Sequence, residues 1–334
     1  MSPQPYAPPQ YPTGENSLVP YAYSIVLNPE KIRLAFYIFF WTMCGFATVL
    51  TKFFVVPMLA AGNPKEPIER LGCGPFNREG SNRTGFEDLT YGQGFAMNQS
   101  HLEEAFGFGN ICTNWDYSPA RELTAMYFPL FEYSFAIYLV LNYVVMTLSA
   151  KKGEIPQWFM HVVSVVTPLC IVLVAFFRMI FVCIAYENLQ QHTAGFLGMQ
   201  IALLLVAVMN VCYIIVTKQE YPSSFGISPQ LATKIAFVYL VINGLVSLVK
   251  IYGTVVIVFG KRTPHYFFWT TFLGLDLGQV IDLIWMLMNA ILPLIIAYVR
   301  SVDEENVTVT VGAPHHIYYR SETTGETAQL LQQS

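Results

Sequence analysis

Ionisable side chains interrupt otherwise apolar runs at Lys52, Glu132, Arg178, Lys250, Asp276 and Asp282, with Gln200 as a neutral companion. Arg178 is the plainest case, standing in the middle of LVAFFRMIFV. On insertion scales a charge in hydrocarbon costs about 3 kcal/mol, so each of these groups needs a partner or a polar surrounding. Carboxylates and cations at one depth can pair across a helix bundle, which offsets much of their desolvation. The same set can line an outward-facing pocket or path for an ion or a small polar solute. In a third arrangement part of the set sits in the headgroup region, with Lys52 snorkelling outward.

Catalytic constellations do not accompany these charges. There is no HExxH motif of the kind that binds catalytic zinc. Leu273-Gly274-Leu275-Asp276 touches an intramembrane aspartyl protease pattern but lacks its second glycine and a matching aspartate on another helix. His161, His192 and His265 fall at helix ends and are expected to be solvated, and His315-His316 is too little for a metal site. Cys44, Cys170, Cys183 and Cys212 are scattered, and buried cysteine acts as a small hydrophobe. No catalytic group, metal or cofactor is expected.

The elements that must hold the charged set are membrane helices. Of the 334 residues, 54% are hydrophobic and 12% charged, against about 25% charged in a soluble domain. A spanning helix needs about 20 predominantly apolar residues. Blocks at 34–59, 125–148, 158–186, 194–216, 235–260 and 266–298 qualify. The last is long enough for a strong tilt, with Pro293 placed to kink it near its end. The expected fold class is an all-α, six-helix membrane bundle over 34–299, between tails 1–33 and 300–334 that carry no packed structure. The first 30 residues are polar and proline-rich, so the first helix is expected to serve as its own signal. A net charge of −4 gives no reason to expect nucleic acid.

Positive charge in short loops is retained on the cytosolic side. Lys31 and Arg33, Lys151 and Lys152, Lys218 and Lys234, and Arg300 place both termini in the cytosol; Lys261 and Arg262 speak against it. The first loop, 60–124, then faces the lumen or the exterior. It holds the sequons at Asn82 and Asn98 and the cysteines Cys73 and Cys112. Those sequons suit lumenal glycosylation, and the cysteine pair suits one disulfide stapling the loop into a small cap. A further sequon at Asn306 would contradict this orientation if glycosylated.

With that topology, a rise of about 1.5 Å per residue puts Lys52, Glu132, Arg178, Gln200, Lys250 and Asp276 in one layer, roughly 10–14 Å below the outer surface. Within helices the polar residues also align. Asn243, Ser247 and Lys250 share one face, and Asp282 and Asn289 another, with Gln279 nearby. Both stripes are expected to point inward, away from lipid.

The tails carry addresses. Pro8-Pro9-Gln10-Tyr11 matches the PPxY pattern that WW-domain grooves bind, which implies recruitment of a WW-containing ubiquitin ligase. Glu326-Thr327-Ala328-Gln329-Leu330-Leu331 resembles an acidic dileucine signal, which implies a clathrin adaptor and an endosomal, lysosomal or plasma-membrane address. The leading expectation is a non-enzymatic membrane protein of regulatory or trafficking type. The alternative is a transporter or channel that uses the charged layer.

Overall fold

A computed structural model describes residues 23–55, 111–115, 119–183, 185–217, 228–259, 271–272, 275–302 and 307–311. Six of its helices are long and apolar enough to cross a membrane: Pro29–Phe54, Ala120–Lys151, Gln157–Val182, Asn188–Thr217, Gln230–Val258 and Leu277–Arg300, here called spans one to six. Helices suit this setting because every interior backbone group is satisfied within the segment. The PPxY and dileucine motifs, Cys73, Asn82 and Asn98 lie outside the described residues.

Two spans begin on the same local device. Asn28 accepts the Lys31 backbone N–H on its side chain at 3.0 Å, and Ser228 accepts that of Leu231 at 3.3 Å. A proline follows each cap, where its missing N–H costs nothing. Spans one and two meet through rings: Phe36 lies 4.7 Å from Phe131 and 4.9 Å from Phe135 between centroids. Spans three and four approach more closely. A Cβ built on Gly198 would come within 2.8 Å of the Leu173 carbonyl oxygen, and one on Gly195 within 3.0 Å of Met179 Cβ. Small residues at such positions let membrane helices pack backbone to backbone.

Part of the first loop enters the bundle. The 3-10 turn Ile111–Trp115 is fixed by Thr51, whose hydroxyl donates to the Asn114 carbonyl at 3.1 Å. Trp115 is fully buried against Phe177 and Phe181.

Several expectations change. Span six starts at Leu277, later than its apolar run suggests, because Thr271 and Phe272, β-branched and aromatic, favour extended chain. Asp276 therefore lies outside that helix, in β3 (Leu275–Asp276), which pairs antiparallel with β2 (Thr271–Phe272). His192 is not solvated: it is 2% exposed, and its Nδ1 lies 2.9 Å from the Cys183 carbonyl oxygen. The helix bends at Asn188, whose side chain accepts the Gln191 backbone N–H, and this turns His192 inward.

Within the segments read as tails, β1 (Tyr23–Leu27) pairs antiparallel with β4 (Val307–Val311), Tyr23 opposite Val311 and Leu27 opposite Val307. The alternating valines and threonines of β4 favour extended chain. This ribbon belongs to a compact unit separate from the bundle at 28–305.

Candidate functional site: a buried polar column between the fifth and sixth spans

Tyr239, Asn243, Ser247, Lys250 and Thr254 recur on span five at intervals of four, four, three and four, the spacing of a single helix face. Asn243, Ser247 and Thr254 are fully buried. Asn289 of span six answers them. Its amide nitrogen donates to Asn243 Oδ1 at 2.8 Å, and the Asn243 nitrogen donates back to Asn289 Oδ1 at 3.2 Å. Ser247 donates to the same Asn243 oxygen at 3.1 Å. The amide pair is thus reciprocal, the arrangement a dry interior demands of buried polar groups.

Span six makes room for this contact with a π turn, Leu287–Ile291, just before Pro293. The Leu292 N–H bonds back to the Leu287 carbonyl, and Pro293 has no N–H to offer. The Met288 carbonyl is left without its helical donor, and the Tyr239 hydroxyl donates to it at 2.8 Å. Trp41 of span one likewise donates to the Ala290 carbonyl at 3.3 Å. Turns of this kind often mark functional positions in helices.

Toward the end of the bundle that holds Trp115, the column reaches Lys250, which donates to Asp282 of span six. The pair is enclosed, with side chains 7% and 17% exposed. The ammonium lies 5.3 Å from the ring centroid of Phe196 and 5.4 Å from that of Trp285, near enough for cation–π attraction. Asp282, Phe196 and Trp285 also line a cavity closed by Cys112 and Trp115. It measures about 10 Å³, room for about one water molecule. Around it the indole N–H groups of Trp115 and Trp285 are buried without hydrogen-bond partners. Gln200, one turn from Phe196, is fully buried, and neither atom of its amide finds a partner.

The remaining charges form a second, separate pair. Arg178, in the 3-10 turn Phe176–Arg178 of span three, donates through Nε to Glu132 Oε2 of span two at 2.7 Å, with Nη2 on the same oxygen. Glu132 is 11% exposed at its side chain and Arg178 49%, so this pair lies at the margin of the bundle. A run of rings separates it from Lys250: Phe128 to Phe177 at 5.6 Å, Phe177 to Phe196 at 6.4 Å, and Phe196 to Trp285 at 5.9 Å.

Within the charged set two separate ion pairs form. Lys250 pairs with Asp282 and Arg178 with Glu132, while Gln200 is fully buried on span four, one turn from Phe196. Lys52 stands apart, exposed on the π turn Thr51–Val55 with its ammonium 5.7 Å from the Phe53 ring centroid; its long stem lets the charge reach outward. Asp276 stands in β3, just before the start of span six. Of the proposed cysteine pair, Cys112 is buried at the cavity.

Trp115, Phe196, Trp285 and Tyr239 escape a search for charges alone. Trp285 follows Asp282 by three residues and Tyr239 precedes Asn243 by four, so extending each polar stripe by one turn recovers both. Trp115 carries no such signal. Among the described residues no three His, Cys, Asp or Glu side chains come together as metal ligands. Searches against protein families, curated proteins and solved structures find no match for this chain.

Proposed function

We propose that this is a non-enzymatic, multi-pass membrane protein of transport type, in which the Lys250–Asp282 pair handles protons or a small inorganic ion. One observation carries the reading: in an enclosed lysine–carboxylate pair the carboxylate, Asp282, lines a cavity with unpartnered buried N–H groups around it. A structural ion pair would be expected in dry, fully satisfied packing. A charged group inside a membrane bundle is, by its cost, a functional candidate. The size of the cavity argues for the class of solute, because nothing larger than a water or a single ion fits it.

The full chain in liposomes should dissipate a pH gradient, or a sodium, potassium or chloride gradient, faster than protein-free liposomes. Lys250→Met combined with Asp282→Leu should abolish that flux, and Lys52→Gln should leave it intact. Flux equal to the protein-free control for every ion rejects the reading.

The tails support a second reading, that sorting signals set the membrane in which the protein works. Because β1 and β4 are antiparallel, the chain leaves Tyr23 and Val311 at the same end of the ribbon. In this reading both motifs lie on one side of the membrane, where a WW-domain ligase and a clathrin adaptor bind them. That side is the cytosol in this reading, with Asn82 and Asn98 glycosylated and Cys73 bonded to Cys112 opposite. Leu330→Ala with Leu331→Ala should move the protein from endosomes or lysosomes to the cell surface; unchanged distribution counts against the signal. Asn82→Gln with Asn98→Gln should abolish a glycosidase-sensitive gel shift. A shift that instead requires Asn306 inverts the orientation.

A further inference from the structure

The cavity beside Asp282 is walled by spans one, four and six and by the first-loop turn, and its hydrogen-bonding groups are unevenly divided. Trp115 and Trp285 each bring an indole N–H that is buried and meets no acceptor among the described residues. Such a group can only donate. The Lys250 ammonium lies close to two rings of the lining, 5.3 Å from Phe196 and 5.4 Å from Trp285. It directs one N–H to Asp282 and makes no other hydrogen bond among the described residues; an ammonium has three N–H groups, so two are left over. Against these donors the lining side chains set one source of oxygen, the Asp282 carboxylate.

That inventory discriminates between solutes. A hard cation is held by about six or more oxygens, and the one carboxylate here is already engaged by Lys250. A halide needs the opposite set, since it accepts from N–H groups and most strongly from charged ones. The unbranched side chains of Met199 and Met286 in the wall adapt to an ion slightly wider than water.

Charge balance adds a second condition. Lys250 and Asp282 cancel, so an anion entering alone leaves one uncompensated charge inside the bundle, a strongly unfavourable state. A proton removes it: an O–H bond forms on Asp282, the carboxyl becomes neutral, and the ammonium is released to the anion. The groups able to titrate or carry charge that face Asp282 here are Lys250 from span five and Cys112 from the first-loop turn. Cys112 carries no charge at neutral pH as a thiol, and none as a disulfide, so Asp282 is the group that takes the proton. We propose that this cavity binds a small monovalent anion of chloride or bromide size together with one proton, the anion on Lys250 and the two indoles and the proton on Asp282. The proposal rests on the reading of this pair as a solute site and names the solute.

The purified full chain in detergent is titrated with sodium chloride, sodium bromide and sodium gluconate at equal ionic strength, and Tm is followed by circular dichroism against a halide-free baseline at each pH. Chloride and bromide should raise Tm saturably; gluconate, too large for the cavity, should not. The halide concentration at half the rise should fall with falling pH, by up to about tenfold per pH unit, because each halide takes one proton with it. Trp115→Phe should raise that concentration about tenfold, the loss of one hydrogen bond to a charged group. If Trp115→Phe does not fold, the pH dependence of the unaltered chain decides. In liposomes an inward chloride gradient should acidify the interior, and clamping the membrane potential at zero should not change the rate, since anion and proton together carry no net charge. Saturable, pH-dependent halide binding without flux upholds the anion site and rejects the transport reading alone. Sodium or potassium flux without any halide response does the reverse. No saturable halide response leaves a cavity for water only and overturns the proposal, as does a response that is the same at every pH.

Discussion

Lys250–Asp282 and Arg178–Glu132 are chemically similar ion pairs on neighbouring helices, yet the bundle holds them differently. The first joins spans five and six, is enclosed by Phe196 and Trp285, and continues into a hydrogen-bonded column through Ser247, Asn243 and Asn289. The second joins spans two and three at the margin, where half of the arginine faces the surroundings. Enclosure makes each partner of the first pair depend on the other, because their side chains are only 7% and 17% exposed. At the margin only the carboxylate is so placed. A buried charge therefore has no single cost; the cost depends on which partner the fold surrounds.

Lys250→Met tests this most severely. It strands the Asp282 carboxylate inside the bundle and should cost about 3–5 kcal/mol, read as a large fall in Tm and in yield of folded protein. Adding Asp282→Leu should recover most of the loss. A double variant no better than the single would show that the pair is not enclosed as described.

A smaller effect is expected one link further along the column. Tyr239→Phe leaves the buried Met288 carbonyl without its donor and should cost about 1–3 kcal/mol, measurable by chemical denaturation in mild detergent. Indifference to this change would mean that the π turn stands without the hydroxyl.

For the marginal pair, Glu132→Gln should cost about 1 kcal/mol or less, since the arginine it releases is half exposed. Arg178→Gln should cost more than Glu132→Gln, because it is the buried carboxylate that then loses its partner. The reverse order would remove the asymmetry on which the comparison rests. Lys52→Gln gives the baseline: an exposed side chain with no ion-pair partner among the described residues should change stability by no more than about 0.5 kcal/mol.

Helix existence and inward faces were open to sequence reasoning because both are local. A run of apolar residues long enough to span hydrocarbon has few structures available to it, and Asn243, Ser247 and Lys250 share a face wherever the helix goes. Partner choice was not open to it. Counting depth along helices places Lys250 level with Asp276, but the helix begins one residue beyond that aspartate, and Asp282, further along the helix, closes the pair instead. The π turn at Leu287–Ile291 and the entry of Trp115 into the core likewise depend on groups distant in sequence: a tyrosine hydroxyl 49 residues from the carbonyl it serves and rings on span three. Periodicity determines which way a side chain points, whereas what it meets there is decided only when helices are set against one another, since contact depends on their relative rotation and depth.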